Sequence, residues 1–264
     1  MTEDPSRVTR WLSIVVLTAV VTGCGGDDDG AVPAVTTTTA PVATTTTTRS
    51  PSAAPEVVES CPGAGAGWRS LDVRAHGQLS AAVLGGGDLG VVLANDSGND
   101  QCDWMALARE LANHGMRALV FRFRSSQQYD QEVLAAARAL RGAGAQRVAA
   151  IGASLGGRAV VQAAASDGQT LAAAISLSAE REIRRYPEIL PVARRIHVPS
   201  LYVGSEEDVF TELGRDTRDF HRVTPAEVNE ILLVPGRDHG VNLLSGAHGP
   251  RVRDAIFDFL TAVR

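Results

Sequence analysis

The sequence predicts an α/β domain in which helices cover both faces of a mostly parallel central sheet. Short, wholly apolar runs suited to buried strands recur along the chain after residue 59. Helical patterns with apolar residues on one face separate these runs, and such an alternation requires crossover connections between parallel strands. With 264 residues, 44% of them hydrophobic, the chain is long enough to bury one large core.

The predicted elements alternate along the chain. Strands are predicted over residues 90–94, 117–123, 148–151, 171–177, 200–203 and 230–234. Helices are predicted over residues 103–114, 131–141 and about 251–263, and a further Ala/Val-rich helix is predicted after GASLGG, ending at about residue 165. Asp103 stands at the start of the first of these helices, where its short acceptor side chain is suited to cap the backbone.

Three classes of ligand find no support in the sequence. Residues 85–90 (GGGDLG) have the spacing of a dinucleotide fingerprint, but a strand follows them instead of the helix that would hold the pyrophosphate, so we predict a tight turn between strands. The net charge is −5 and the basic residues form no stripe, which argues against nucleic acid as a partner. Three scattered cysteines do not supply the four closely spaced ligands of a zinc site.

The N-terminal segment is predicted to be an export signal followed by a tether. An apolar run over residues 11–21 is too short to span a bilayer and is typical of a secretory signal. The run ends in VTGC, which resembles the lipobox of bacterial lipoproteins. The resemblance implies removal of residues 1–23 and a diacyl lipid on Cys24; an ordinary secretory signal or an uncleaved anchor is the alternative. Residues 24–58, rich in Thr, Pro and Ala, are predicted to be a disordered tether that holds the domain of residues 59–264 outside the cytoplasm, anchored to the bacterial cell membrane.

Export would place the remaining cysteines in an oxidising compartment. Once Cys24 is assigned to the lipid, Cys61 and Cys102 are the pair left, and we predict a disulfide between them. This disulfide would close a loop of roughly 40 residues and stabilise the domain by about 4 kcal/mol. Two buried free thiols are the alternative.

A nucleophile is predicted at Ser154. Residues 152–156 (GASLG) follow an apolar strand and precede a helix, which is the context in which G-x-S-x-G forms a sharp, crowded turn. That turn requires small residues beside the serine, and Ala153 and the glycines satisfy the requirement. It would present the hydroxyl at a helix N-terminus, whose partial positive charge favours a developing anion.

A serine hydroxyl needs a base, and the base needs an orienting acid. His239 lies in the sequence GRDHG between the last strand and the final helix, and it is the predicted base, with His248 as the second candidate. The acid is expected between the serine and the histidine in sequence. Of the three adjacent carboxylates that follow the strand starting at residue 200, we prefer Asp208, with Glu207 as the alternative.

Together these motifs resemble the α/β-hydrolase superfamily, in particular its small dienelactone-hydrolase-like and esterase-like members. The resemblance extends from about residue 89 to the end of the chain. It is carried by GASLGG at residues 152–157, the acidic loop ending at Asp208, and PGRDHG at residues 235–240. It implies a serine hydrolase of the carboxylesterase type that acts on small ester or acyl substrates through an acyl-enzyme, with no metal or organic cofactor.

The resemblance also implies an oxyanion hole formed by two backbone N–H groups. One belongs to Leu155, and the other lies in the loop NDSGND that starts at Asn95, where we prefer Ser97 and keep Asp96 as the alternative. The chain departs from the family pattern at two places: Asn95 and Asp96 replace the usual His-Gly, and Arg122 stands where an aspartate is common. An acidic side chain beside an oxyanion would oppose its charge unless it points away.

The substrate is expected to be small or to carry an exposed acyl group. Only about twenty residues, from 179 to 199 and rich in arginine and glutamate, separate the strands between which the family usually inserts a lid. We therefore expect a minimal lid and an open site. A non-catalytic surface binding protein, and a peptidase or acyltransferase using the same triad, stay open as alternatives. The oligomeric state is left open.

Overall fold

The computed structural model of the chain describes residues 55–75, 77–97, 101–124, 128–183 and 186–263. The predicted signal segment, Cys24 and most of the predicted tether lie outside these residues. The strands of the described part are β1 (Arg69–Ser70), β2 (Val73–Ala75), β3 (Gly77–Leu79), β4 (Ala81–Gly85), β5 (Leu89–Ala94), β6 (Arg117–Phe121), β7 (Arg147–Ala153), β8 (Ala173–Leu177), β9 (Ser200–Ser205) and β10 (Asn229–Val234).

Eight of these strands form one sheet in the order β1-β4-β6-β5-β7-β8-β9-β10, and β2 pairs with β3 separately. The six strands from β6 to β10 in this order are parallel, whereas β4 and β1 add an antiparallel edge. Because the parallel strands all end at the same edge, the loops that follow β7, β8, β9 and β10 meet there. That edge carries the candidate site.

Helices cover both faces of the sheet. The helices of the described residues are α1 (Glu56–Glu59), α2 (Met105–Asn113), α3 (Tyr129–Gly142), α4 (Leu155–Ser166), α5 (Leu190–Ala193), α6 (Arg215–Val223) and α7 (Gly249–Ala262). Buried residues of α1, α2 and α7 pack in one core, and those of α3 to α6 pack in a second core on the opposite face. The central strands are mostly apolar because both of their faces are covered. In β5, for example, Val91 and Leu93 belong to the first core, whereas Val92 and Ala94 belong to the second.

The predicted fold class is confirmed. The six predicted strands are the six parallel strands of the sheet, and between β8 and β9 the described residues contain no helix longer than the four residues of α5, in agreement with a minimal lid. The turn predicted in GGGDLG is also present, since β4 ends at Gly85 and β5 begins at Leu89. A side chain at Gly87 would come within 2.1 Å of the Gly115 carbonyl oxygen, which explains the glycine there.

Two details of the prediction are corrected. Asp103 does not cap α2, because it lies inside a 3-10 turn, Gln101–Trp104, and Trp104 is the residue that precedes the helix. Helix α1 spans the predicted boundary between tether and domain at residues 58 and 59. Val57 and Val58 are buried in the first core, so the packed part of the chain includes the last residues assigned to the tether.

The Cys61–Cys102 disulfide is present and ties the segment after α1 to the turn that leads into α2. Its sequence separation is 41 residues, and Cys61 is buried in the first core. Within the described ranges, none of the helices combines the length and the hydropathy needed to cross a membrane.

Candidate active site

Ser154 occupies a strained turn between β7 and α4. Its φ of 48° and ψ of −111° are unusual for a residue with a side chain, and a strained serine at this point of a strand-turn-helix unit is typical of a nucleophile elbow. The glycines on either side make the turn possible. A Cβ on Gly152 would lie 2.1 Å from the Gly156 carbonyl oxygen, and a Cβ on Gly156 would lie 2.2 Å from the Ala94 carbonyl oxygen. The backbone is therefore packed too closely for a larger residue at either position.

His239 and Asp208 form a hydrogen-bonded pair beyond the ends of β10 and β9. The His239 Nδ1 atom lies 2.8 Å from Asp208 Oδ2, and the Asp208 side chain is fully buried. The second carboxylate oxygen, Oδ1, accepts a hydrogen bond from the backbone N–H of Phe210 at 3.0 Å. Both carboxylate oxygens are thus hydrogen-bonded, and the carboxylate fixes the imidazole through Nδ1. The other ring nitrogen, Nε2, is left to accept a proton.

The structure distinguishes between the acids and bases that the sequence left open. Glu207 is exposed and faces Arg237, with a distance of 3.4 Å between Oε2 and Nε, instead of His239. His248 is the residue that precedes α7, and within the described residues only His239 pairs with Asp208. Asp208 and His239 are thus the pair that the geometry brings together.

The loop of His239 lies against Ser154. A Cβ built on Gly240, whose φ is +59°, would be 3.7 Å from the Cβ of Ser154, so the backbone next to the histidine reaches the serine. The Ser154 hydroxyl is turned towards Glu180, however, with 3.5 Å between Oγ and Oε1. In the described part of the chain no hydrogen bond joins this hydroxyl to His239. Rotation about the Cα–Cβ bond of the serine redirects the hydroxyl without moving the backbone, and such contacts are commonly loose before substrate binds.

The loop after β5 packs against the N-terminus of α4, where the predicted oxyanion hole would lie. The carbonyl oxygens of Ala94 and Asn95 both approach Gly156, and the Leu155 N–H belongs to the unpaired first turn of α4. The Asn95 side chain is buried and donates to the Phe121 carbonyl oxygen at 3.1 Å, which fixes the start of the loop. Residues 98–100 of the loop lie outside the described residues.

Asp96 and Arg122, the two departures from the family pattern, contact different segments of the chain. The Asp96 carboxylate points towards the His239 loop, because its Oδ2 atom is 2.9 Å from the Cβ position of Gly240. Arg122 lies at the 3-10 turn that precedes α2, where its Nε donates to Gln101 Oε1 at 3.3 Å. Asp96 therefore adds negative charge on the histidine side of the site.

Sequence reasoning missed three residues of this site. Glu180 follows β8 by three residues and reaches the serine hydroxyl. Arg158, one turn along α4 from Ser154, is almost fully buried and holds the segment that carries Glu180. The ring of Phe210 lies against the imidazole of His239 at a tilt of 48°, with ring centroids 4.7 Å apart. The rule that loops after parallel strands converge would have pointed to Glu180, whereas nothing in the sequence marks Arg158.

Exposed apolar side chains flank the histidine. Val209, Phe210 and Leu213 are each more than half exposed, in the turn that follows Asp208. Because the ring of Phe210 contacts the imidazole, these side chains give the site an apolar wall beside His239. In the residues described, no three His, Cys, Asp or Glu side chains are arranged to hold a metal ion.

Comparison with known proteins rests on the fold alone. No protein-family model matches the chain, and no curated protein matches its sequence. Solved structures do match it. The esterase Pf2001 of Pyrococcus furiosus superposes with a TM-score of 0.61 at 14% identity, over 74% of this chain and 90% of that one. A dienelactone hydrolase from Anabaena variabilis superposes with a TM-score of 0.63 at 15% identity, over 74% of this chain and 97% of that one.

The chain has the α/β-hydrolase fold. A thermophilic esterase from Thermogutta terrifontis gives the same result, with a TM-score of 0.59 at 16% identity over 75% of this chain and 99% of that one. An α/β-hydrolase fold places its nucleophile, acid and base after strands of one parallel sheet, in the chain order serine, acid, histidine. Ser154, Asp208 and His239 have this order and these positions, after β7, β9 and β10.

Proposed function

We propose that this protein is a serine hydrolase that cleaves carboxylic esters or related acyl compounds through an acyl-enzyme. The observation that carries the proposal is the buried Asp208 bonded to His239 at 2.8 Å, on a loop whose next residue packs against the strained Ser154. Nucleophilic catalysis needs a serine, a base and an acid that orients the base, and here all three follow strands of one sheet. A structural role alone does not call for all three. The esterases and the dienelactone hydrolase that share the fold support the same reaction class.

The proposed reaction begins when Ser154 Oγ attacks the carbonyl carbon of the ester. His239 Nε2 takes the hydroxyl proton, and Asp208 stabilises the imidazolium that results. The N–H groups of Leu155 and, in our proposal, Ser97 hold the negative oxygen of the tetrahedral intermediate, and each such donor typically lowers the barrier by about 3 kcal/mol. The C–O bond to the alcohol then breaks, and the alcohol leaves with the proton from His239. Water, activated by the same imidazole, releases the acid and restores the serine.

Hydrolysis of short esters tests this proposal. The full chain should hydrolyse 4-nitrophenyl acetate and butyrate, and Ser154→Ala should abolish the activity. Ser166→Ala is the matched control, because Ser166 lies at the far end of the same helix and its hydroxyl donates to the Ala163 carbonyl oxygen. Full activity in Ser154→Ala would contradict the proposal. Absence of any hydrolysis by folded protein would favour a non-catalytic binding role, and turnover of amides or acyl transfer to alcohols alone would favour a peptidase or acyltransferase.

Acyl-chain length tests the expected open site. The minimal lid between β8 and β9 leaves little apolar surface to enclose a long chain. We expect kcat/KM to be highest for short acyl groups. A rate that keeps rising past about a dozen carbons would refute this part of the proposal, since each added CH2 would then be gaining about 0.8 kcal/mol of burial.

We further propose that the enzyme acts outside the cytoplasm, anchored to the bacterial cell membrane through lipid on Cys24. The sequence VTGC after a short apolar run supports this location. Labelled palmitate should enter the wild-type protein in bacterial cells and should not enter Cys24→Ala. Equal labelling of both, or wild-type protein that stays in the soluble fraction, would contradict the anchor.

A further inference from the structure

The carboxylate of Glu180 contacts the hydroxyl of Ser154. Glu180 lies beyond the carboxyl end of β8, after Ser178, whose φ of 51° turns the chain sharply. Its Oε1 atom is 3.5 Å from Ser154 Oγ. The acyl carbon of a substrate bonds to Oγ once the hydroxyl has rotated towards His239, and the place that the hydroxyl leaves, beside the Glu180 carboxylate, is then open to the first atoms of the acyl chain.

Arg158 fixes the backbone that carries Glu180. Its guanidinium donates to the carbonyl oxygens of Glu180 at 2.8 Å, Arg181 at 2.7 Å and Pro187 at 2.7 Å. The donors of the arginine are thus directed at the main chain of the segment and not at the carboxylate of Glu180. A rigid scaffold of this kind favours a binding group that is held in one place before the substrate arrives.

The Glu180 carboxylate has no ion-pair partner within the part of the chain that the structure describes. It is half-buried, and this burial raises its pKa, while the charges of His239 and Arg158 at longer range act in the opposite direction. A desolvated carboxylate without a paired cation is costly, and a bound cation would remove that cost. An anionic group at the same place would be repelled by Glu180.

We propose that Glu180 determines substrate specificity by binding a positively charged group next to the scissile carbonyl, so that the preferred substrates are aminoacyl esters. An ammonium group on the carbon adjacent to the carbonyl can occupy the place beside the Glu180 carboxylate that the serine hydroxyl leaves, and a charge-assisted hydrogen bond forms there at about 2.8 Å. The apolar wall around Phe210 lies on the side of His239, which protonates the leaving alcohol, and it suits an apolar alcohol. The inference rests on the proposed function.

A pair of nearly isosteric substrates tests the role of Glu180. Alanine benzyl ester and isobutyric acid benzyl ester differ in the ammonium group that replaces one methyl group. The α-amino group, with a pKa of about 7.7–8.0, is largely protonated at pH 7. The quantity to measure is the ratio of kcat/KM for the two esters, in the wild-type full chain, in Glu180→Gln and in Glu182→Gln. Glu182 is the matched control, because it lies on the same segment with an exposed side chain.

The ratio should favour the alanine ester in the wild type and should fall about ten-fold or more in Glu180→Gln, which is the contribution of one charge-assisted hydrogen bond. It should stay within about two-fold in Glu182→Gln, because exposed charges contribute little. An ester beside an ammonium group is intrinsically more reactive, but this reactivity is the same for every variant, so it cancels when the wild-type ratio is compared with the Glu180→Gln ratio. An unchanged ratio in Glu180→Gln, or an equal loss for both esters, would overturn the proposal while leaving the proposed hydrolase intact. If folded wild-type protein cleaves neither ester and does not react with a serine-directed fluorophosphonate, the proposed function itself fails.

Discussion

Asp208→Asn probes the proposed triad because it removes a charge and keeps the size of the side chain. Asp208 Oδ1 accepts from the Phe210 N–H, and Oδ2 faces His239 Nδ1. In the variant the amide oxygen must stay on the Phe210 side, since an NH2 group there would set two donors face to face. The NH2 group then points at Nδ1 and requires it to act as an acceptor. The histidine proton moves to Nε2, the nitrogen that has to take the proton of Ser154.

We therefore expect kcat of Asp208→Asn to fall by about 10⁴-fold, the loss known for the wrong tautomer in this arrangement, which corresponds to about 5 kcal/mol of barrier. The assay is steady-state hydrolysis of 4-nitrophenyl acetate, with urea unfolding as the check that the variant folds. Glu207→Gln is the matched control, because the neighbouring carboxylate is exposed and contacts Arg237, and we expect it to stay within about two-fold. An Asp208→Asn variant that keeps a tenth of the activity, or a Glu207→Gln variant that loses as much, would refute the assignment.

Three further predictions concern stability. Arg158→Met should lower the free energy of unfolding by about 3 kcal/mol, because three carbonyl oxygens lose the buried, charged donor that they share; a urea midpoint equal to that of the wild type would contradict this. Glu180→Gln should be more stable than the wild type at pH 7. Burial raises the pKa of Glu180 in the folded state, so ionisation of Glu180 destabilises the wild type as pH rises through the folded pKa, and this cost is absent below the unfolded pKa. A stability difference between the two proteins that does not shrink on acidification would count against this. Replacing Cys61 and Cys102 with alanine should cost about 4 kcal/mol, measured by urea unfolding without reductant, and a cost near zero would show that the crosslink constrains the unfolded chain little.

The parallel part of the fold was predictable because buried strands have the clearest sequence pattern. A strand such as β5, buried on both faces, is apolar at every position and is bounded by turns. The turn predicted in GGGDLG implied a strand where β4 lies but not its antiparallel pairing, and β1 to β3 were missed because they have only two or three residues each. Helix α6 was missed because seven of its nine residues are polar, and it is held by Phe220 and by the cluster around Asp216 and Asp219.

The order of the candidate site residues along the chain was predictable, but the residues that surround them were not. Strand-turn-helix context identified Ser154, and position after a strand identified His239. The choice of Asp208 over Glu207 needed the structure, because adjacent residues point in different directions and only the fold decides which carboxylate is buried. Glu180 and Arg158 act through contacts between segments that lie 22 or more residues apart, and a single sequence does not show such contacts.

The proposed function depends on Ser154 being an activated nucleophile, and an active-site-directed probe tests this most directly. A fluorophosphonate reacts covalently with an activated serine, and the adduct can be weighed in the intact protein and located by peptide mapping. We predict a single adduct on Ser154 in the wild type and in Ser166→Ala, and none in Ser154→Ala. Folded wild-type protein that gains no adduct, or Ser154→Ala that is labelled as readily as the wild type, would contradict the account.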